Sequence, residues 1–187
     1  MVNAMTVKTI FFLFTVLIFN QSLLHAGWVI NKEVDSMTDK KTTSAVLSND
    51  EGYELKLYTL ASGEFFCTFA LPTNSLDVLS HSQAPMYRVD KNIQQDLNDL
   101  AKMHDKLIEH GAYLYSQEPK WCNFILSAVE KKNRDTISGW VLEEFAKGEK
   151  IVFRYWLFTG GYKETSFSIS GADKAILEVL KNKHSSN

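Results

Sequence analysis

The chain has 187 residues, with 20 Lys or Arg against 22 Asp or Glu, which gives a formal net charge of −2. This weakly acidic balance argues against nucleic acid or an anionic membrane surface as the partner, because both attract basic proteins. Hydrophobic residues make up 45% of the chain, which is enough for a packed core and excludes a disordered protein.

Residues 1–26 have the pattern of a secretory signal peptide. Lys8 is the only charged residue before Lys32, residues 10–19 are apolar except for Thr15, and Ala26 is a small residue suited to cleavage. The apolar run is short for a membrane span, and an uncleaved anchor is the alternative. The sequence therefore predicts export to the periplasm and a single domain of residues 27–187, without membrane insertion once the leader is cleaved. That domain has 161 residues and, without Lys8, 19 basic against 22 acidic residues, a net charge of −3.

The first half of the domain predicts strands. Residues 28–30 and 43–47 suit two short strands, and residues 53–57 alternate between apolar and charged side chains. After a turn at Ala61-Ser-Gly63, residues 64–71 return as a second strand of a hairpin, with Phe65, Cys67 and Phe69 on one side. A loop then leads to a short strand at residues 86–89.

The middle of the chain predicts two helices and a strand between them. Asn92 and Gln95 have the spacing of a capping box, and apolar residues with His104 follow helical spacing up to Gly111. Residues 113–119 are expected to form a loop and residues 121–129 a strand. A short helix at residues 137–147 would end at Gly148.

The C-terminal part predicts a hairpin followed by a helix. Residues 149–158 and 162–170 favour strands, and a two-residue turn at Gly160-Gly161 would place Arg154 opposite Phe167. Apolar residues on both faces predict that the first strand is covered on both sides. The helix has one apolar stripe, formed by Ala172, Ile176, Val179 and Leu180. The whole pattern favours an α+β fold, with a mainly antiparallel sheet built from hairpins and two or three packed helices.

Cys67 and Cys122 are the two cysteines of the chain, and both follow the predicted cleavage point. In an exported protein such a pair predicts a disulfide bond. Two buried free thiols are the alternative. A metal site built on these cysteines lacks further ligands.

No complete catalytic or metal-binding motif is present. The histidines have no chelating spacing, and His104 lies on an apolar stripe, which favours a packed, hydrogen-bonded side chain. Gly-x-Ser-x-Gly and nucleotide-binding glycine patterns are absent. We therefore assign no catalytic residue and expect no metal and no cofactor.

Two polar clusters form the candidate binding patch. One is Asp35-Ser-Met-Thr-Asp39 and the other is Tyr87-Arg88-Val89-Asp90. In this patch, Arg88 offers a bidentate fork to a carboxylate on a partner. The alternative is an ion-paired edge that fixes the N-terminal segment. The predicted patch residues are Asp35, Met37, Thr38, Asp39, Tyr87, Arg88 and Asp90.

These clusters carry a resemblance to a known group. Together with Trp28, Phe145-x-x-Gly148, Arg154 and Phe167-Ser-Ile-Ser-Gly171 with Ala175-Ile176, the chain resembles small exported bacterial proteins of the VasI type, found beside type VI secretion clusters. Relatives of this kind often carry a Cys after the last helix, whereas this chain has none there. The resemblance implies a periplasmic, non-enzymatic role.

The sequence therefore predicts a periplasmic, non-enzymatic protein-interaction module, either a secretion-system accessory or an immunity or inhibitor protein. Its partner would be a secretion component, a toxin or a cell-wall enzyme. The alternative is a periplasmic hydrolase acting on peptidoglycan or peptides, with a site assembled in space. A weaker alternative is a small-ligand binder that uses Phe153, Tyr155 and Leu157 if that face is uncovered.

Overall fold

The computed structural model describes residues 27–34, 36, 37, 39, 41–60, 63–107, 114–128 and 139–181. Within this part of the chain, ten strands and three helices form an α+β fold with two antiparallel sheets, which confirms the predicted fold class. The predicted signal peptide lies outside the described residues.

The larger sheet has six strands in the order β1-β2-β3-β4-β8-β7. Its first four strands follow one another as hairpins, as the alternating sequence predicts. Its last strand, β7, is formed by residues for which the sequence predicts a loop. The strands are β1 (Val29–Val34), β2 (Lys41–Ser48), β3 (Glu54–Thr59), β4 (Glu64–Ala70), β7 (Tyr115–Glu118) and β8 (Trp121–Ala128).

The smaller sheet has four strands in the order β10-β9-β5-β6. These are β5 (Met86–Val89), β6 (Gln95–Asp96), β9 (Lys150–Trp156) and β10 (Tyr162–Ser168). The β9–β10 hairpin has Trp156 opposite Tyr162 and Arg154 opposite Glu164, so the predicted register is wrong. The loop spans residues 157–161 because the Leu157 N–H donates to the Gly161 carbonyl and the Gly160 N–H donates to the Leu157 carbonyl, each at 3.0 Å.

The first helix begins later than the capping-box pattern predicts. Helix α1 spans Leu97–Leu107, because Gln95 and Asp96 are extended in β6. Asp96 Oδ1 accepts the Asn98 N–H at 2.9 Å and so replaces Asn92 as the capping residue. Ile93, predicted on the apolar stripe, is 80% exposed. The other two helices are α2 (Trp140–Lys147) and α3 (Ala172–Lys181).

The core lies between the two sheets. Phe69 on β4 stacks on Phe153 on β9 with ring centroids 4.4 Å apart, and Tyr87 on β5 stacks on Phe124 on β8 at 5.2 Å. Phe153 and Tyr155 are fully buried here, so they offer no open face to a small ligand. The predicted stripe of α3 is buried, and the helix packs against β1, β2 and β3.

The connection from α2 to β9 is tightly packed and held by Asp90. Gly148 has φ −74°, which any residue adopts, so the need for glycine is steric. A Cβ at this position would lie 2.4 Å from Val89 Cγ1 and 2.9 Å from the Glu144 carbonyl oxygen. The Asp90 carboxylate accepts the backbone N–H groups of Glu149 and Lys150 at 3.1 and 2.9 Å.

The predicted disulfide is not present, because Cys67 and Cys122 are both free thiols. Cys67 on β4 lies opposite Phe124, and Cys122 on β8 lies opposite Phe69. The two cysteines are therefore offset by two residues, or about 6.8 Å along an antiparallel strand, and they are not cross-strand partners. Burial raises the pKa of the Cys122 thiol to about 12, and burial and the nearby Cys122 raise the pKa of Cys67.

Candidate functional site

The outer face of the four-stranded sheet is the candidate site. Along β9 the buried Phe153 and Tyr155 point into the core, whereas Arg154 between them is exposed. The prediction that this strand is covered on both sides is therefore wrong. Within the described residues, no helix or strand covers this face, which leaves a mixed charged and apolar surface open to solvent.

A shallow hollow of about 120 Å³ lies on this face. The strand register builds it, because Arg154 lies opposite both Met86 and Glu164, and Arg88 lies opposite Val152. The two arginines are thus diagonal neighbours on adjacent strands, close enough for long side chains to share one ligand. The outer-face hollow is lined by Met86, Tyr87, Arg88, Gln94, Val152, Arg154 and Glu164.

Arg154 is held in place by two neighbours on β10. Its Nε and Nη2 atoms contact Glu164 Oε1 at 2.7 and 2.5 Å, and its Cζ lies 4.8 Å from the centroid of the Tyr162 ring. The ion pair is half-exposed, so its contribution to stability is at most about 1 kcal/mol. Its main effect is to fix the position of the guanidinium.

Arg88 has no such restraint. Its side chain is exposed, and among the described residues it forms no ion pair and no side-chain hydrogen bond. A guanidinium has five N–H donors in a planar fork. Arg88 therefore presents an unneutralised charge beside the half-buried side chains of Met86 and Val152.

The structure distributes the residues of the predicted binding patch over separate environments. Tyr87 is 3% exposed, with its ring in the core, and burial raises the pKa of its hydroxyl. Asp90 binds backbone N–H groups, and no ion pair joins it to Arg88 in the described part of the chain. Met37 is 90% exposed and Asp39 has a positive φ of 52°, both in the connection from β1 to β2. Asp35 and Thr38 lie outside the described residues.

Sequence reasoning placed Tyr87 and Arg88 in the candidate patch but missed the other five residues that line the hollow. The assumed two-residue turn pairs Arg154 with Phe167, which hides the true cross-strand pair of Arg154 with Glu164. The signal was available, since opposite charges at facing positions stabilise a hairpin register. Gln94 was missed because the sequence assigns it to a helix.

A second polar cluster joins the two sheets and is fully satisfied. The hydroxyl oxygens of Tyr53 and Tyr155 lie 2.6 Å apart in the core. Thr165 Oγ1 accepts from Asn49 Nδ2 at 2.8 Å and donates to Glu51 Oε2 at 3.3 Å. Burial and the hydrogen bond with Tyr53 raise the pKa of Tyr155. These groups bind one another, so this cluster fixes how the sheets are joined.

The described residues also bear on a metal site, on the environment of His104 and on a membrane span. There, no group of three or more His, Cys, Asp or Glu side chains could hold a metal ion. His104 Nδ1 accepts the Leu114 N–H at 3.3 Å, which confirms the hydrogen bond predicted for this side chain. Among the described residues, none of the three helices has the length and apolar composition that a membrane span requires.

The fold and the hollow together define an α+β protein with an open, arginine-bearing sheet face. The chain matches no protein-family model, no curated protein and no solved structure.

Proposed function

We propose that this chain is a periplasmic, non-enzymatic protein that binds another protein with the outer face of its four-stranded sheet. Its role would be that of a secretion-system accessory or of an immunity or inhibitor protein. The observation that carries the proposal is the outer-face hollow, where the exposed Arg88 has no neutralising partner among the described residues.

The composition of this face supports protein binding. Arginine, methionine and aromatic residues are enriched at protein interfaces, and arginine, tyrosine and tryptophan dominate their binding energy. Here Arg88, Arg154 and Met86 lie in the hollow, while Tyr162 (58% exposed) and the half-buried Trp156 lie beside it on the same face.

Two sequence features support the proposed periplasmic location and the proposed non-enzymatic class of protein. Residues 1–26 have the pattern of an export signal, and the resemblance to exported proteins of the VasI type implies a non-enzymatic role. Arg88 and Arg154 both belong to the residues that carry that resemblance, and both lie in the hollow. The hydrolase alternative has no supporting observation among the described residues and stays a prediction of the sequence.

The test is capture of a partner that depends on Arg88. The full chain, tagged at its C-terminus, is expressed in a bacterium that carries it naturally, and periplasmic extracts are affinity-purified. Wild type should recover one stoichiometric protein, and Arg88→Glu should lose it. The matched control is Lys56→Glu, the same charge reversal at an exposed position of the other sheet, which should keep it.

Two outcomes would refute the proposal. One is recovery of no stoichiometric partner from several growth states. The other is a partner that Arg88→Glu retains as well as Lys56→Glu does, since the binding surface would then lie elsewhere. Circular dichroism of both variants checks that each is folded.

A further inference from the structure

The outer-face hollow has an unbalanced charge that identifies the chemistry of its ligand. Arg88 and Arg154 contribute two positive charges, whereas Glu164 contributes one negative charge. The remaining positive charge is that of Arg88, whose donors have no protein acceptor in the described part of the chain. An incoming anion would complete the charge balance.

The ion pair of Arg154 and Glu164 leaves hydrogen-bond donors of Arg154 for a second carboxylate. Both contacts of Arg154, from Nε and Nη2, go to the same oxygen, Glu164 Oε1. Other N–H donors of Arg154 therefore have no acceptor among the described residues. Glu164 is on β10 and Arg88 is on β5, the strands on opposite sides of β9. A carboxylate matches a guanidinium fork with two parallel hydrogen bonds.

The floor of the hollow favours a side-chain carboxylate over a bare inorganic anion. Met86 and Val152 are half-buried and lie directly across the strands from Arg154 and Arg88. Methylene groups next to a carboxylate would bury this apolar surface, whereas phosphate would leave it exposed to water.

We propose that the hollow holds the carboxylate of a Glu or Asp side chain on the protein partner, with Arg88 as the main ligand and Arg154 as the second. This inference rests on the proposed function and names the group that the partner supplies. Glu164 acts as an internal competitor, because its charge repels the incoming carboxylate and occupies part of Arg154.

The test is an NMR titration of the purified mature protein, observing the Nε–Hε signals of Arg88 and Arg154. The probes are N-acetylglutamate N-methylamide, its glutamine analogue and inorganic phosphate. The glutamate probe should shift both signals to saturation, the glutamine analogue should not, and phosphate should bind more weakly. The glutamate response should decrease with added salt.

Two variants should change the affinity for the glutamate probe in opposite directions. Arg88→Gln should weaken binding of the glutamate probe roughly 10- to 150-fold, the range for hydrogen bonds to charged groups. Glu164→Gln should strengthen it roughly two- to five-fold, because the competing surface ion pair is lost. Lys56→Gln and Glu33→Gln, exposed positions of the other sheet, are the charge-matched controls and should leave it unchanged.

Three results would overturn the inference: equal responses to the glutamate and glutamine probes, tighter binding of phosphate, or weaker binding in Glu164→Gln. If the titration fails while partner capture still depends on Arg88, the proposed function stands without the carboxylate. If the titration succeeds while capture fails, the hollow binds carboxylates and the proposed function is wrong.

Discussion

Substitution of Gly148 by alanine should destabilise the fold through steric overlap. The new Cβ would lie 2.4 Å from Val89 Cγ1, 2.9 Å from Ile169 Cδ1 and 2.9 Å from the Glu144 carbonyl oxygen. These separations are well inside van der Waals contact, and one of the three atoms belongs to the backbone. Overpacking of this kind costs about 1–3 kcal/mol. Backbone strain contributes nothing, since φ at Gly148 is −74°.

The assays are urea unfolding, which gives the free energy, and thermal unfolding, which gives the melting temperature. Both use the mature protein and are followed by circular dichroism and tryptophan fluorescence. A loss of about 1–3 kcal/mol should lower the melting temperature by roughly 2–4 °C per kcal/mol. The double variant with Val89→Ala provides the control, because the smaller side chain removes the closest contact. Its loss should be smaller than the sum of the two single losses by about 0.5 kcal/mol or more.

A Gly148→Ala variant within about 0.5 kcal/mol of wild type would refute the steric argument, because that is the usual range for neutral surface changes. Additive losses in the double variant would instead remove Val89 as the source of the clash.

The remaining predictions concern three other features. Asp90→Ala should destabilise by about 1–3 kcal/mol, because two backbone N–H groups at the start of β9 lose their acceptor. Asp90→Asn should lose less in the same urea assay. Lys120→Met should cost about 1–3 kcal/mol and speed hydrogen exchange in residues 72–80, because Lys120 Nζ donates to the carbonyls of Ser75 and Asp77 at 2.5 and 2.7 Å. Exchange rates equal to those of wild type would show that Lys120 does not hold this loop in place. Cys67 and Cys122 should react with iodoacetamide only after unfolding, and mass spectrometry detecting a bond between them would show that the β4–β8 register is wrong. Because burial raises the pKa of Cys122 to about 12 in the folded protein, the contribution of this thiol to stability should be constant up to the unfolded thiol pKa of about 8.5. It should then decrease as the pH rises further, which urea unfolding of wild type and Cys122→Ser at several pH values would measure.

Elements with a strong period were predictable from the sequence. The hairpins and the apolar stripe of α3 were found because buried positions recur every second residue in strands and every third or fourth in helices. Helix α1 was placed too early, since Asn92 and Asp96 are both good capping residues and only the pairing of β5 with β6 decides between them.

Register and pairing across the chain were not predictable in the same way. The glycines of the β9–β10 loop allow several turn lengths. A shift of the strand register by an odd number of residues exchanges the two faces of a strand. The disulfide prediction failed for a related reason, because two cysteines 55 positions apart give no information about which residues face them. Arg88 was predicted as a binding residue from its local polar cluster. Arg154 and Glu164 could be placed beside it only once the register of β9 and β10 was known.

One carbonyl at an edge of the four-stranded sheet is bound by a side-chain amide. Among the described residues no strand pairs with the outer side of β10, and the Asn49 side chain donates to the Ser166 carbonyl at 3.1 Å. An uncovered edge of this kind invites the strand of another molecule and leads to aggregation. The Ser166 carbonyl already has a hydrogen-bond donor in Asn49, which makes it a weaker attachment point for the strand of another copy of the chain.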